Sequence, residues 1–395
     1  MGARGPLIAL VAGEASGDNL GAALIDALRV RYPTAEFVAV AGPRMRAAGC
    51  EVIAASEELA VMGLAEILRH LGRLLVLRRR VTRELLARRP DVFIGIDAPE
   101  FNLGLARRLK AAGLRTVQYV SPQVWAWRQG RVHDIARACD RILCLLPFEP
   151  AFYARYGIEA RFVGHPLADQ FPLRADRAAA RQALGIDADA EVVAILPGSR
   201  AGEVSRLAQP FAAAARWLAA RRPGVQFVAP LTTAATRAMF EAAWAESAPG
   251  IAVQVREGGS RAVLAAADVV LVASGTATLE TLLTQRPMVV AYRLAPLTAF
   301  VLRRLGLVKV EHFAQANLLV GRRAVPEFFQ EQATPEALGA ALLRWLEAAR
   351  APDDAPLARE LARVRTEFEA VHLDLRRDGA ALAASAVAEL LEEPR

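Results

Sequence analysis

The chain has 395 residues, 54% of them hydrophobic, 23% charged and only 6% aromatic, a balance that excludes a disordered or fibrous protein and leaves room for two domains of similar mass. Mean hydropathy is high at +0.24, but no run approaches the roughly 18 apolar residues of a membrane span, and Met1–Val11 leads straight into a first strand, so neither a bilayer-crossing helix nor a cleaved secretion signal is expected. The net charge of +7 points to an anionic partner, and the three cysteines, Cys50, Cys139 and Cys144, form neither an even framework nor a metal-spaced cluster, as suits a reducing cytoplasm.

Short apolar runs alternate with longer helical patterns as far as about residue 350, the order of repeated strand–helix units on parallel sheets. Strands are predicted at Leu7–Ala12, Glu36–Ala41, Val92–Ile96, Thr116–Val120 and Arg141–Leu145, then at Val192–Leu196, Gln226–Pro230, Ala252–Val255, Val269–Val272 and Met288–Ala291. The fold class is therefore α/β, with two Rossmann-like, doubly wound domains at 1–170 and 171–350 and the crossover within Ala168–Asp189. Beyond Pro352 the pattern is helical, at Leu357–Val371 and Ala380–Leu391, so 351–395 is expected to be a tail that packs across the domains or is swapped in a dimer. In such sheets ligands sit outside the carboxyl ends of the strands, which is where motifs earn a functional reading first.

The first strand ends in Gly13-Glu14-Ala15-Ser16-Gly17-Asp18-Asn19, with a helical pattern from Leu20 to Val30. That spacing fits neither the dinucleotide fingerprint nor the P-loop; a polar loop with two glycines is a candidate sugar site, and Ser16 or Asp18 taken singly serves equally well as an N-cap. Met62–Arg89 carries apolar residues at helical spacing with eight arginines between Arg69 and Arg89 and one acid, Glu84. A basic amphipathic helix of this kind, with Arg69 and Arg73 on it, can lie on an anionic bilayer, or it can be a domain helix with a solvated face. Leu297–Lys309 is a second apolar and basic stretch of the same sort.

Asp97 follows the very apolar strand Val92–Ile96. A carboxylate there is held rigidly, and partial desolvation raises its basicity toward that of a general base; a turn-forming Asp before a proline is the plain alternative. Tyr119–Arg128 gathers two of the five tryptophans, Trp125 and Trp127, beside a proline turn, as an acyl or sugar site or as a buried aromatic corner. In the second half, Pro197-Gly198-Ser199-Arg200 joins a strand to a helix, so glycine, free N–H groups and a guanidinium together make a phosphate cradle without a Walker lysine. Ser274-Gly275-Thr276-Ala277-Thr278-Leu279-Glu280 repeats those physics; Glu280 is placed to accept ribose hydroxyls, or simply to favour the helix dipole.

Taken in order, these segments resemble lipid-A-disaccharide synthase, an inverting glycosyltransferase family of the GT-B type. The resemblance runs through Ala12–Asp18, Met62-Gly63 with Glu66, Asp97–Asn102, Tyr119–Arg128, Leu146–Glu149, Phe162–Asp169, Leu196–Arg200 with Glu203, Ser274–Glu280, Asn317–Leu319 and Val325–Gln330. It departs from the family at Ala316, where a proline is usual. The resemblance implies transfer of 2,3-diacylglucosamine from its UDP derivative to 2,3-diacylglucosamine 1-phosphate, giving a β-1,6 disaccharide 1-phosphate and UDP. It implies Asp97 as the base, and Arg200 and Asn317 at the donor.

The expected site is therefore Asp97 and Glu14 as catalytic carboxylates. Gly198, Ser199, Arg200, Ser274, Gly275, Thr276, Glu280 and Asn317 are expected at the donor, and Ser16, Asn102, Trp125, Arg128, Arg69 and Arg73 on the acceptor or membrane side. No metal and no cofactor are expected, UDP-sugar being a substrate. The expected partners are the two acylated sugars, lipids of the inner-membrane surface and a second copy of the chain; the expected location is the cytoplasmic face of that membrane. Alternatives are a UDP-sugar 2-epimerase or peptidoglycan-type transferase, which acceptor dependence distinguishes, and a non-catalytic membrane-surface protein; scattered basic residues and the lack of a binding motif argue against nucleic acid.

Overall fold

The computed structural model describes residues 4–59, 64–126, 129–294 and 312–394, with backbone alone for 64–71. The chain divides into two compact units, Met1–Asp169 with Leu375–Arg395, and Gln170–Asp374.

The first unit is built on seven strands: β1 (Leu7–Ala12), β2 (Glu36–Ala41), β3 (Glu51–Ala55), β4 (Val92–Ile96), β5 (Arg115–Tyr119), β6 (Arg141–Cys144) and β7 (Glu159–Phe162). They form one sheet in the order β3-β2-β1-β4-β5-β6-β7, every pair parallel. Alternate residues of β1 enter opposite cores: Ile8, Leu10 and Ala12 pack with Leu24, Ile25 and Leu28, Ala9 and Val11 with Leu77, Val81, Leu85 and Leu105. A strand covered on both faces needs apolar residues at every position, which is why it reads as a continuous run.

The helix Leu64–Arg88 turns its described apolar positions Leu77, Val81 and Leu85 into that core, so its carboxyl half is a domain helix with a basic outer face. Arg80 pairs there with Glu58, and Arg88 with Glu51 and Glu84. Arg73 is exposed, whereas the side chain of Arg69 and the whole stretch Leu297–Lys309 lie outside the described residues.

The second unit carries β8 (Val192–Leu196), β9 (Gln226–Leu231), β10 (Val253–Glu257), β11 (Val269–Ala273), β12 (Met288–Tyr292) and β13 (Glu327–Phe329). Their order is β10-β9-β8-β11-β12-β13, again parallel throughout. The helix Ala201–Ala219 buries Val204, Leu207, Phe211, Ala215 and Leu218 at helical spacing; each of these but the alanine is worth about 1.5–3 kcal/mol of transfer free energy.

The strands absent from the sequence reading, β3, β7 and β13, all lie at sheet edges. β7 (Glu-Ala-Arg-Phe) and β13 (Glu-Phe-Phe) are too short and polar to show an apolar run, whereas β3 does carry one, Val52–Ala55, of only four residues. The tail helices fall in different units: Pro356–Leu375 lies almost wholly in the second, while Gly379–Glu392 joins the first, where Ala383, Val387 and Leu390 enter the same core as Leu24, Ile25 and Leu28.

Candidate functional site

In a doubly wound sheet the connections leave in opposite directions from two neighbouring central strands, which opens a crevice at their carboxyl ends. Here those pairs are β1 with β4, and β8 with β11. Most of the expected residues of catalysis and donor binding stand at these two places.

In the first unit, the pairing of Ala12 with Ile96 sets the turn at Gly13-Glu14 beside the turn at Asp97-Ala98. A Cβ on Gly13 would come 3.2 Å from that of Ala98, so the two backbones touch. The helix that follows β1 begins at Ala15, five residues earlier than the pattern from Leu20 suggests, with extended Glu14 as its N-cap. Asp18 lies in its first turn, and its carboxylate turns away to accept the N–H groups of Gly42, Arg44 and Met45 at 2.9, 2.7 and 3.0 Å. Asp18 therefore anchors the start of the neighbouring helix Pro43–Ala47 and caps nothing in its own. Glu14 and Ser16 stay exposed in the first turn, where free N–H groups favour an anion or a sugar hydroxyl.

Asp97 and Ala98 are consecutive left-handed residues, with φ of 52° and 39°. Each such non-glycine conformation costs of order 1–3 kcal/mol and persists only where the surroundings over-determine it. Asp97 is half-buried, and burial pushes its pKa up against the pull of the Ala98 N–H, the direction a general base requires. Its main chain is held on both sides: its N–H donates to the Tyr119 carbonyl at 2.9 Å, and its carbonyl accepts Asn102 Nδ2 at 2.9 Å and Gln118 Nε2 at 3.0 Å.

Asn102 is fully buried and also donates to the carbonyls of Val11 and Ile96. Expected on the acceptor side, Asn102 here spends its amide N–H groups on the ends of β1 and β4 and on the Asp97 turn. Trp125 is likewise tied inward, its indole N–H donating to Glu149 at 3.0 Å and its ring edge-on to Phe148 at 4.9 Å, which favours the aromatic-corner reading. Glu149, an acid the sequence offers only as part of Leu-Pro-Phe-Glu, is buried, and desolvation lifts its pKa to about 7 against hydrogen bonds from Leu146, Ser121 and Trp125. Arg128 lies outside the described residues.

In the second unit, a cavity of about 290 Å³ opens at the carboxyl ends of β8 and β11, lined by Gly198, Ser199, Arg200, Ser274, Gly275, Thr276 and Glu280. Glu203, Thr232, Gly258 and Ser260 also line it; the sequence signal for the last pair was the unremarked Gly258-Gly259-Ser260 turn. Gly198 adopts φ of 125°, and a Cβ there would fall 2.4 Å from that of Glu203, so the turn needs glycine on both counts. Glu203 Oε2 accepts the N–H groups of Ser199 and Arg200 at 3.1 and 3.4 Å. Those two N–H groups thus face a negative oxygen, the kind of group that a helix start receives. Arg200 is exposed, its guanidinium 3.9 Å from Glu203 Oε1. Glu280 is half-buried with its pKa raised by burial, Ser260 hydrogen-bonding to it.

Asn317 does not line this cavity. It is fully buried, its Nδ2 donating to the Val325 carbonyl and to Glu327, and its Oδ1 accepting the N–H groups of Ala324 and Val325 at 2.8 and 2.9 Å. In this structure Asn317 braces the loop Ala324–Val325 and Glu327, and its expected place at the donor is not tested by these contacts. Glu327 also accepts the Phe313 N–H, and Ser274 reaches the Phe313 carbonyl at 3.0 Å, so the brace connects to the cavity wall. The loop at Ala316 is pinned by Asn317 without the usual proline. Among the described residues no three His, Cys, Asp or Glu gather as metal ligands; the sequence does contain one Asp-x-Asp triplet, Asp187-Ala188-Asp189, a spacing able to bind a divalent metal, but it lies before β8, at the opposite end of the strands from the cavity.

The family model described as lipid-A-disaccharide synthetase matches residues 8–370. The chain is 51% identical over 390 residues to the lipid-A-disaccharide synthase of Pseudomonas aeruginosa strain UCBPP-PA14, covering 99% of both. Among solved structures, the calicheamicin glycosyltransferase CalG4 superposes with a TM-score of 0.59 at 18% identity over 98% of both chains. A UDP-N-acetylglucosamine 2-epimerase of Listeria monocytogenes, described as such only by likeness, gives 0.62 at 12% identity over 99% of this chain and 98% of its own. These last two share the fold, and the fold alone does not separate transferase from epimerase.

Proposed function

Because the chain belongs to the lipid-A-disaccharide synthase family, the UDP-sugar-dependent glycosyltransferases of lipid A synthesis, we propose the following division of labour among its residues. Asp97 takes the proton from the 6-hydroxyl of 2,3-diacylglucosamine 1-phosphate as that oxygen attacks the anomeric carbon of UDP-2,3-diacylglucosamine. The bond from that carbon to the diphosphate breaks in line, its electrons leave with UDP, and the configuration inverts to the β-1,6 link. Arg200 and the N–H groups at Ser199 and Thr276 stabilise the departing charge in place of a metal, Glu280 holds ribose hydroxyls, and Glu14 and Ser16 orient the sugars beside Asp97.

The observation that carries this reading is the half-buried carboxylate with a raised pKa on a strained turn at the end of β4, in a sheet whose counterpart ends in an N–H-lined cavity. Absence of any helix among the described residues long and apolar enough to span a membrane fits a protein that meets its lipid substrates at the cytoplasmic membrane surface, through the exposed basic face around Arg73; a homodimer completes the proposal. The test is product analysis by mass spectrometry after incubation with both acylated sugars in chelator. A disaccharide 1-phosphate, with UDP released only when acceptor is present, supports it. Donor consumption without acceptor indicates an epimerase, and dependence on added metal removes the role given to Arg200.

A further inference from the structure

Gln118 is the last residue but one of β5, 1% exposed between Val117 and Tyr119, at a position where a core strand ordinarily carries an aliphatic residue. Its Nε2 donates to the Asp97 carbonyl at 3.0 Å and lies within 3.4 and 3.3 Å of the carbonyls of Tyr119 and Val120. Two of those three carbonyls belong to left-handed residues, since Val120 has φ of 73° beside the 52° of Asp97. The amide therefore joins the two irregular turns that end β4 and β5. Asn102 approaches the same Asp97 carbonyl from the following helix.

The other ends of both amides tell which end matters. Gln118 Oε1 and Asn102 Oδ1 are buried without a hydrogen-bond partner, an arrangement that is rare because each orphaned acceptor is costly. Both side chains crowd Gly95, where a Cβ would lie 2.8 Å from Asn102 Cβ and 3.0 Å from Gln118 Oε1. Glycine in the middle of β4 is thus the space that lets two amides converge. An apolar side chain would fill the volume without stranding an oxygen, so what the amides supply is their N–H groups, and those converge on Asp97.

We propose that Gln118, with Asn102, is a positioning residue for the transfer reaction, clamping the main chain of Asp97 so that its carboxylate is aimed before substrate arrives. The proposal rests on the reading of Asp97 as general base. A carboxylate on a strained turn relaxes when the restraint is removed, and misplacement of a reacting group by about 1 Å is enough to cost on the order of 100-fold in rate.

The experiment compares the parent, Gln118→Met, Asp97→Asn and the double variant, using the purified full chain with both acylated sugars. Methionine keeps the length and removes the donors. The expected result is a kcat about 10-fold or more lower in Gln118→Met, with KM for both sugars and UDP affinity within about twofold. Because Gln118 acts through Asp97, its loss should add nothing further to the residual rate of Asp97→Asn. A kcat within twofold of the parent, or a double variant slowed by the product of the single effects, overturns the proposal and leaves Gln118 a structural residue. Full activity in Asp97→Asn instead sinks the base assignment, and the clamp with it, whereas a dead Asp97→Asn beside an unimpaired Gln118→Met sinks the clamp alone. Should Gln118→Met not fold, Gln118→Asn withdraws the same amide by one methylene and is judged by the same split.

Discussion

Replacing Gly198 by alanine tests whether the cavity of the second unit works through its backbone. The new Cβ would meet that of Glu203 at 2.4 Å, and φ of 125° is one that side-chain-bearing residues seldom adopt. Strain of about 1–3 kcal/mol and an overlap of similar size together exceed what the turn can absorb in place. The turn shifts, the N–H groups of Ser199 and Arg200 lose their common direction, and UDP affinity should fall about 10- to 100-fold, that is by about 1.4–2.8 kcal/mol. Calorimetric UDP binding and thermal denaturation measure this. Gly202→Ala is the internal control: its Cβ meets nothing nearer than the Arg206 guanidinium at 3.5 Å, so binding and stability should both stay at the parent value. A folded Gly198→Ala protein that binds UDP within twofold of the parent would refute the backbone cradle.

Two further outcomes concern the first unit. Asp18→Ala strands three N–H groups at the start of Pro43–Ala47, so urea unfolding should show a loss of about 2–4 kcal/mol while UDP affinity stays at the parent value; a loss below 0.5 kcal/mol contradicts the anchoring role. Glu149 has its folded pKa raised from 4.5 to about 7, so its contribution to stability is fully present below 4.5 and is lost as pH rises through about 7, a difference of about 3 kcal/mol. Glu149→Gln should therefore gain on the parent between pH 5 and 8 in denaturant unfolding, and a constant difference across that range would exclude the raised pKa.

How much of this was legible beforehand follows from what water does to a sequence. Central strands such as β1, β4, β8 and β11 are covered on both faces and announce themselves as apolar runs; with them came the turns at their carboxyl ends, hence Asp97, Gly198 and Ser274. The edge strands β7 and β13 have no such run, and that of β3 is only the four residues Val52–Ala55. Polar residues within those turns were harder to assign, because sequence shows that Asp18, Asn102 and Asn317 are polar but not whether they face a ligand or the chain's own carbonyls and N–H groups. The structure turns all three inward. Gln118 and Glu149 escaped for a related reason, being single polar residues among apolar ones whose partners are distant in sequence.

Turnover and UDP binding of Asp97→Asn, taken on one preparation, test the chemistry most directly. Loss of a positioned general base should lower kcat by about 10²–10⁴ and leave the Kd for UDP within about twofold, since the cavity proposed for the diphosphate is lined wholly by the second unit. Parallel loss of both, or turnover close to that of the parent, would contradict the assignment of Asp97 as the group that takes the proton.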